Sequence, residues 1–264
     1  MIGAVIGDIV GSRFEFAPIK TKEFPLFAGG CRFTDDTVMT MAVAQALLMA
    51  GRDPNAFQTA LVSEMRRLGR AYPNAGYGGR FAAWLTAPDP APYGSFGNGS
   101  AMRVSPCGFA ARTMEEALTL AEASAVVTHN HPQAIKGAQA AAACIYLART
   151  GSSKESIRDY VRAHFYPLNQ TLDQIRPNYR FDVSCQGSVP QSIQAFLEGN
   201  DVEDTVRNAV SLGGDSDTMA CIGGAIAQAF YGVPQELARI ACTYLPKEFL
   251  DIMDSFQATF LTGE

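Results

Sequence analysis

The segment Thr37–Ala50, TVMTMAVAQALLMA, is apolar on nearly every side of a helical projection. That is the pattern of a helix covered by neighbours on several faces, so the rest of the chain must supply them. Strict apolar/polar alternation between turn residues, the mark of half-buried strands, is scarce. Helical periodicity recurs instead at residues 54–70, 114–127, 132–149, 154–164, 187–198 and 201–212, with Pro54 and Pro132 at first-turn positions. Thr218–Tyr231, TMACIGGAIAQAFY, is a second apolar helix whose Gly223–Gly224 pair permits close helix contact, and two more helices fall near 234–243 and 247–261. The expectation is one all-α domain over residues 1–264. Its polar and glycine-rich loops at 71–80, 86–101, 166–184 and 213–217 are the natural carriers of binding groups.

Composition narrows the function classes. Of 264 residues 47% are hydrophobic and 18% charged, with no tract of the polar, highly charged kind that stays disordered. The net charge of −5 argues against a broad nucleic-acid surface, which needs clustered Lys and Arg. A small anion held by backbone N–H groups remains compatible with it. Cysteines at 31, 107, 144, 185, 221 and 242 form no C-x-x-C pair, and their scatter suits buried free thiols in a reducing compartment. Met1–Gly11 is apolar but carries Asp8 and lacks the basic start of a signal peptide. The apolar stretch Ala220–Val233 is too short for a membrane span and is interrupted by Gln228. A cytoplasmic location is expected.

Two acidic clusters each precede an apolar helix: Phe33-Thr34-Asp35-Asp36-Thr37 and Gly213-Gly214-Asp215-Ser216-Asp217-Thr218. In extended backbone alternate side chains share a side, so Asp215 and Asp217 can converge, whereas Asp35 and Asp36 diverge towards two neighbouring points. Ordinary N-capping accounts for either cluster taken alone. One or two groups suffice for a cap, however, and four carboxylates are offered. If the two helix starts face each other, four anions repel unless cations lie between them. Two divalent cations balance four carboxylates, and oxygen-only ligands suit Mg²⁺ or Mn²⁺ rather than Zn²⁺.

At this point the chain resembles the ADP-ribosylglycohydrolase family. The resemblance rests on ordered segments: Gly7-Asp8-Ile9-Val10-Gly11-Ser12-Arg13-Phe14-Glu15, the Thr-Asp-Asp-Thr cluster, and Gly97-Asn98-Gly99-Ser100-Ala101-Met102-Arg103. Thr128-His129-Asn130-His131-Pro132 and Gly-Gly-Asp-Ser-Asp-Thr follow. The resemblance implies an orthogonal multi-helix globule holding two Mg²⁺ or Mn²⁺ ions, with Thr34, Asp35, Asp36, Asp215, Asp217 and Thr218 as ligands. It implies Glu15 and Asp36 as catalytic residues, although Glu15 alone also reads as a surface acid ending a first helix.

By the same resemblance the glycine-rich stretch Gly94, Ser95, Phe96, Gly97, Asn98 and Gly99 receives a diphosphate, Phe96 packs on a ribose or adenine, and His131 reaches towards the phosphates. The plain reading of His131, before Pro132, is a helix cap. Asp8 either supports the metal ligands or orders the first helix, and Trp84, Tyr72 and Tyr77 read equally as core or rim. Arginine-specific relatives carry an aspartate in the loop after the third helix, where Asn74 stands here. An amide takes no proton as a carboxylate does, so the acceptor stays open.

The implied reaction is metal-dependent hydrolysis at C1″ of an α-linked ADP-ribosyl group on a protein or small molecule, releasing ADP-ribose. Two alternatives stand beside it. One is a two-metal hydrolase of another nucleotide or of an O-acyl-ADP-ribose; the other is a non-catalytic ADP-ribose binder.

Overall fold

The structure, a computed structural model, describes residues 1–261; the last three residues of the expected domain lie outside it. Its helices are α1 (Ile2–Gly11), α2 (Asp35–Ala50), α3 (Pro54–Ala71), α4 (Gly79–Thr86), α5 (Gly99–Met102), α6 (Ser105–Ala110), α7 (Met114–Val126) and α8 (Pro132–Arg149). There follow α9 (Lys154–His164), α10 (Leu172–Ile175), α11 (Cys185–Glu198), α12 (Val202–Val210), α13 (Ser216–Tyr231), α14 (Gln235–Cys242) and α15 (Lys247–Phe260). Among the described residues the sole β pairing is an isolated antiparallel bridge between Gly97 and Ser184. The expected all-α architecture is the one observed.

Local chemistry sets the helix starts. Asp53 accepts from the N–H of Ala56 at 2.8 Å ahead of Pro54. Thr113, Ser153 and Asp201 cap α7, α9 and α12 in the same way, and each such oxygen satisfies a donor the helix leaves unpaired. Helix α11 starts at Cys185, earlier than the expected 187, because Ser184 caps it through the N–H of Gly187. The short helices α5, α6 and α10 carry too few residues for a readable period.

Helix α13 runs through the interior, buried from Ser216 to Ala227, and packs against α1, α8, α11 and α12. Its closest neighbour is α1, and the reason lies in the spacing of Gly3, Gly7 and Gly11. A Cβ on Gly7 would lie 2.0 Å from the carbonyl oxygen of Ala220, and one on Gly11 2.4 Å from Cα of Asp217. Only bare backbone lets the two helices meet, and that contact carries Asp8 to Asp217. Around this pair the core includes Ile6, Ile9, Met39 and Leu47, all fully buried, each worth roughly 1.5–3 kcal/mol of apolar transfer. Gly7→Ala should therefore cost about 1–3 kcal/mol or more through overpacking. Gly29→Ala is the matched control, because nothing lies within 4 Å of a Cβ there. Denaturant midpoints of the two variants check this; equal midpoints would contradict it.

The six cysteines are free, with Cys107, Cys144, Cys185 and Cys221 buried. No described helix is long and apolar enough to cross a membrane.

Candidate metal centre and nucleotide cavity

The two acidic clusters meet. Helices α2 and α13 start at the floor of a cavity of about 380 Å³, lined there by Asp35, Asp36, Asp215, Asp217 and Thr218 together with Glu15. Oxygens of Asp8, Asp36 and Asp217 lie within 4.8 Å of one another, and so do those of Glu15, Asp215 and Asp217. Asp217 belongs to both groups and joins them.

The hydrogen bonds show what these carboxylates are free to do. Thr34, not an aspartate, caps α2, accepting from the N–H of Asp36 at 3.3 Å. Helix α13 has no side-chain cap at all; Asp215 instead accepts from Nδ2 of Asn98 at 2.7 Å. Capping thus accounts for none of the four aspartates. Asp8 accepts from the N–H of Thr34 at 2.9 Å, from its hydroxyl at 2.6 Å, and from the N–H and hydroxyl of Thr37. Its carboxylate is saturated by the start of α2, so it clamps α1 to α2 and turns the Thr34 oxygen towards Asp36. Thr218 donates its hydroxyl to Asp36 at 3.3 Å and its N–H to Asp217 at 3.0 Å. Oδ1 of Asp36 is buried and has no partner among the described residues, a costly state for a carboxylate oxygen.

Among the described residues none of these carboxylates joins an ion pair; those pairs lie elsewhere. Burial and mutual repulsion therefore raise their pKa values. Glu15 is pushed up to about 7 by burial and Asp217, with Arg32 pulling the other way. Asp35 rises to about 8 through burial, Asp217 and Asp8. Asp215 rises to about 6, burial outweighing its hydrogen bonds to Asp217 and Asn98. Asp36 and Asp217 stand well above the ordinary carboxylate range, from burial first and neighbouring aspartates second. An unpaired buried oxygen inside a cluster of oxygen ligands that no ion pair neutralises among the described residues fits divalent cations.

The upper walls come from other elements: Gly76, Gly78, Gly79, Arg80 and Phe81 on one side, and Ser95, Gly97, Gly99 and Val183 on the other. Within the glycine-rich loop the N–H of Gly94 is taken by Asn130, that of Gly97 by Ser95 Oγ and that of Asn98 by Val183. Three of the backbone donors expected to meet a diphosphate are therefore engaged in shaping the loop. Gly94 and Phe96 lie outside the lining, and the exposed Phe96 ring packs edge-on against His131 at 5.6 Å.

His131 itself is the cap of α8, accepting from the N–H of Gln133 at 3.1 Å, and does not line the cavity; His129 does. The structure thus brings a different histidine to the wall from the one the sequence suggested. The exposed Asn74 also lies outside the lining, where its loop contributes glycines only. Trp84 is buried and stacks on Phe81 at 5.5 Å, Tyr72 packs against Phe249, and Tyr77 stands beside Asp35.

A family model described as ADP-ribosylglycohydrolase matches residues 1–257. This chain belongs to the ADP-ribosylglycohydrolase family. Among its relatives, the ADP-ribosylarginine hydrolase Tri1 of Pseudomonas putida (strain GB-1) is 28% identical, the match covering 88% of this chain and 70% of the relative. The ADP-ribosylhydrolase ARH3 of Homo sapiens is 29% identical, covering 89% and 85%. A solved structure described as an ADP-ribosylglycohydrolase-related protein complex superposes with a TM-score of 0.74 at 24% identity, covering 98% of this chain and 96% of the other, and so shares the fold.

Several wall residues carried no readable sequence signal. Asn98 was grouped with the loop backbone, yet its amide spans Asp215 and Ser188. Arg80, Tyr93 and Met39 line the cavity from segments with no motif. Arg103 sits at the end of α5, fully buried, and donates to the carbonyl of Gly99 at 2.8 Å.

Proposed function

We propose that this chain is a divalent-cation-dependent ADP-ribosylhydrolase that cleaves the C1″ bond of an α-linked ADP-ribosyl group and releases ADP-ribose. One observation carries the reading. Two carboxylate sets that share Asp217, one of them including Asp36 with its unpaired, buried Oδ1, meet at the floor of a cavity whose volume, about 380 Å³, suits a small ligand. The names of the relatives, ADP-ribosylarginine hydrolase and ADP-ribosylhydrolase, support the substrate class.

Thr34, Asp35 and Asp36 from the start of α2, with Asp215, Asp217 and Thr218 from the start of α13, would hold two Mg²⁺ or Mn²⁺ ions. Bound divalent cations supply positive charge that orients ribose hydroxyls and acidifies water. The chain's own groups do the rest. Asp8 fixes Thr34, and Asn98 fixes Asp215, so the ligand oxygens are set before substrate arrives. Glu15 reaches the cluster beside Asp217 and is the group that moves a proton as the glycosidic bond breaks through an oxocarbenium-like transition state. Met39, Phe81, Met102 and Val183 exclude bulk water from the walls.

Glu15→Gln should lower kcat by roughly 10²–10⁴-fold, the usual worth of a general acid or base, while ADP-ribose affinity changes little. A variant with wild-type kcat removes Glu15 from the mechanism. Product chromatography on a panel of ADP-ribosylated arginine, serine, nucleobase and acyl-ester substrates tests the reaction itself. Free acceptor plus intact ADP-ribose is expected; AMP as first product would instead mean cleavage within the diphosphate.

A further inference from the structure

Beneath the glycine-rich loop lies a row of three polar side chains to which the mechanism above gives no role. Arg103 is 1% exposed, and its guanidinium donates to the carbonyls of Gly99 and Ser124, each at 2.8 Å, and to Oγ1 of Thr128 at 2.9 Å. A guanidinium only donates. Oγ1 of Thr128 is therefore an acceptor in that bond, and its own proton points elsewhere. Thr128 is fully buried, and among the described residues the remaining hydrogen-bond partner of its hydroxyl is Nδ1 of His129 at 2.7 Å.

Direction follows from the proton count. If Nδ1 of His129 carried the ring proton, Thr128 would accept twice and its hydroxyl proton would be left unpaired in a buried site. The alternative, with the hydroxyl donating to Nδ1, pairs every group and is favoured roughly tenfold or more. The ring proton then resides on Nε2. That nitrogen lies against the loop: a Cβ on Gly99 would be 3.0 Å from it and one on Gly97 3.6 Å, and His129 lines the cavity with both glycines. The groups facing the ring are Arg103 and Arg80, with Tyr93 packed at 5.7 Å. Burial, then these two cations, hold the His129 pKa well below the usual histidine range.

We propose that Arg103, acting through Thr128, locks His129 in the tautomer with its proton on Nε2, so that a neutral ring presents one fixed N–H donor to a phosphate oxygen in the cavity. Arg103 is a positioning residue in this scheme. The ligand half of the proposal rests on the cavity being an ADP-ribosyl site; the tautomer half rests on the hydrogen bonds alone. A neutral ring keeps the donor count constant with pH, which an imidazole titrating near its ordinary pKa does not.

Nitrogen-15 NMR of the histidine rings in the full chain, without nucleotide, reads the tautomer directly. The expected result is a protonated Nε2 and an unprotonated Nδ1 for His129 from about pH 5.5 to 8, the range in which an ordinary histidine titrates. Thr128→Val keeps the shape and removes the hydroxyl, so the ring should become a mixture of tautomers; Thr128→Ser should restore the single form. ADP-ribose affinity by calorimetry should fall in the valine variant by the inverse of the fraction left protonated on Nε2, about twofold for an equal mixture, and recover in the serine variant. A proton on Nδ1 in the wild type, or an unchanged tautomer in Thr128→Val, overturns the relay. The expected tautomers with no ADP-ribose binding to the wild type support the relay and overturn the ligand half.

Discussion

Asp36→Asn abolishes turnover and at the same time raises the melting temperature of the metal-free protein. Both effects come from the same oxygen. Among the described residues Oδ1 of Asp36 is buried without a partner, and Oδ2 receives the Thr218 hydroxyl at 3.3 Å while the Thr34 hydroxyl proton goes to Asp8 at 2.6 Å. Without cations this carboxylate stands among Asp8, Asp35, Asp215 and Asp217 and is held well above the ordinary range by burial and by them. An amide of the same shape removes one member of the repelling set and brings two N–H donors that neighbouring carboxylates can accept. Relief of at least ~1 kcal/mol corresponds to a rise of ~2–4 °C in a domain of this size. As a ligand the amide is poor, and turnover should fall by more than the 10–100-fold typical of residues one layer further out. Initial rates and thermal unfolding in EDTA check the pair. A stabilised, inactive variant is expected, whereas a destabilised one would mean that Asp36 is a structural acid.

The stability gained from Mg²⁺ or Mn²⁺ grows with pH. The sign follows from proton counts. Carboxyl groups in the unfolded chain titrate near ~4, whereas Asp215 is pushed to about 6, Glu15 to about 7 and Asp35 to about 8 in the folded protein. Between those limits the folded state binds protons that the unfolded state has lost, so stability falls as pH rises. Each factor of ten in proton affinity is worth ~1.4 kcal/mol. The buried Met1 amino group, pushed down to about 5, works in the opposite direction between its folded and unfolded values. Bound cations replace the protons on the carboxylates and leave Met1 untouched, so the difference between metal-loaded and chelated samples isolates the cluster. That difference in melting temperature should widen by ~2–4 °C or more from about pH 5 to pH 8. A gap independent of pH would mean that the carboxylates do not hold the metal.

Legibility in the sequence followed sequence distance. Helices long enough to show a period, such as α2, α3 and α8, were readable from apolar spacing and from Pro54 and Pro132. The four-residue α5 and α10 were not, because one turn has no period. In the site, Asp35 with Asp36 and Asp215 with Asp217 were visible because each pair is local; their meeting was an expectation drawn from the family resemblance, not from spacing. It depends on α1 lying against α13 at Gly7 and Gly11, a contact in which the informative feature is a missing side chain. The two histidines show the same limit. His131 stands next to Pro132 and draws attention as a helix-start residue, and it is indeed the cap. His129 reaches the cavity because Thr128 and Arg103, the latter 26 positions upstream, hold its ring from below. No local pattern encodes that pairing.

The most direct measurement is release of ADP-ribose from the substrate panel by chelated protein and by the same protein after Mg²⁺ or Mn²⁺ is restored. The expected result is no release in EDTA, and intact ADP-ribose with free acceptor from at least one substrate once cation returns. Release at full rate in EDTA would contradict the account, because the converging carboxylates would then have no cation to hold and no part in the reaction.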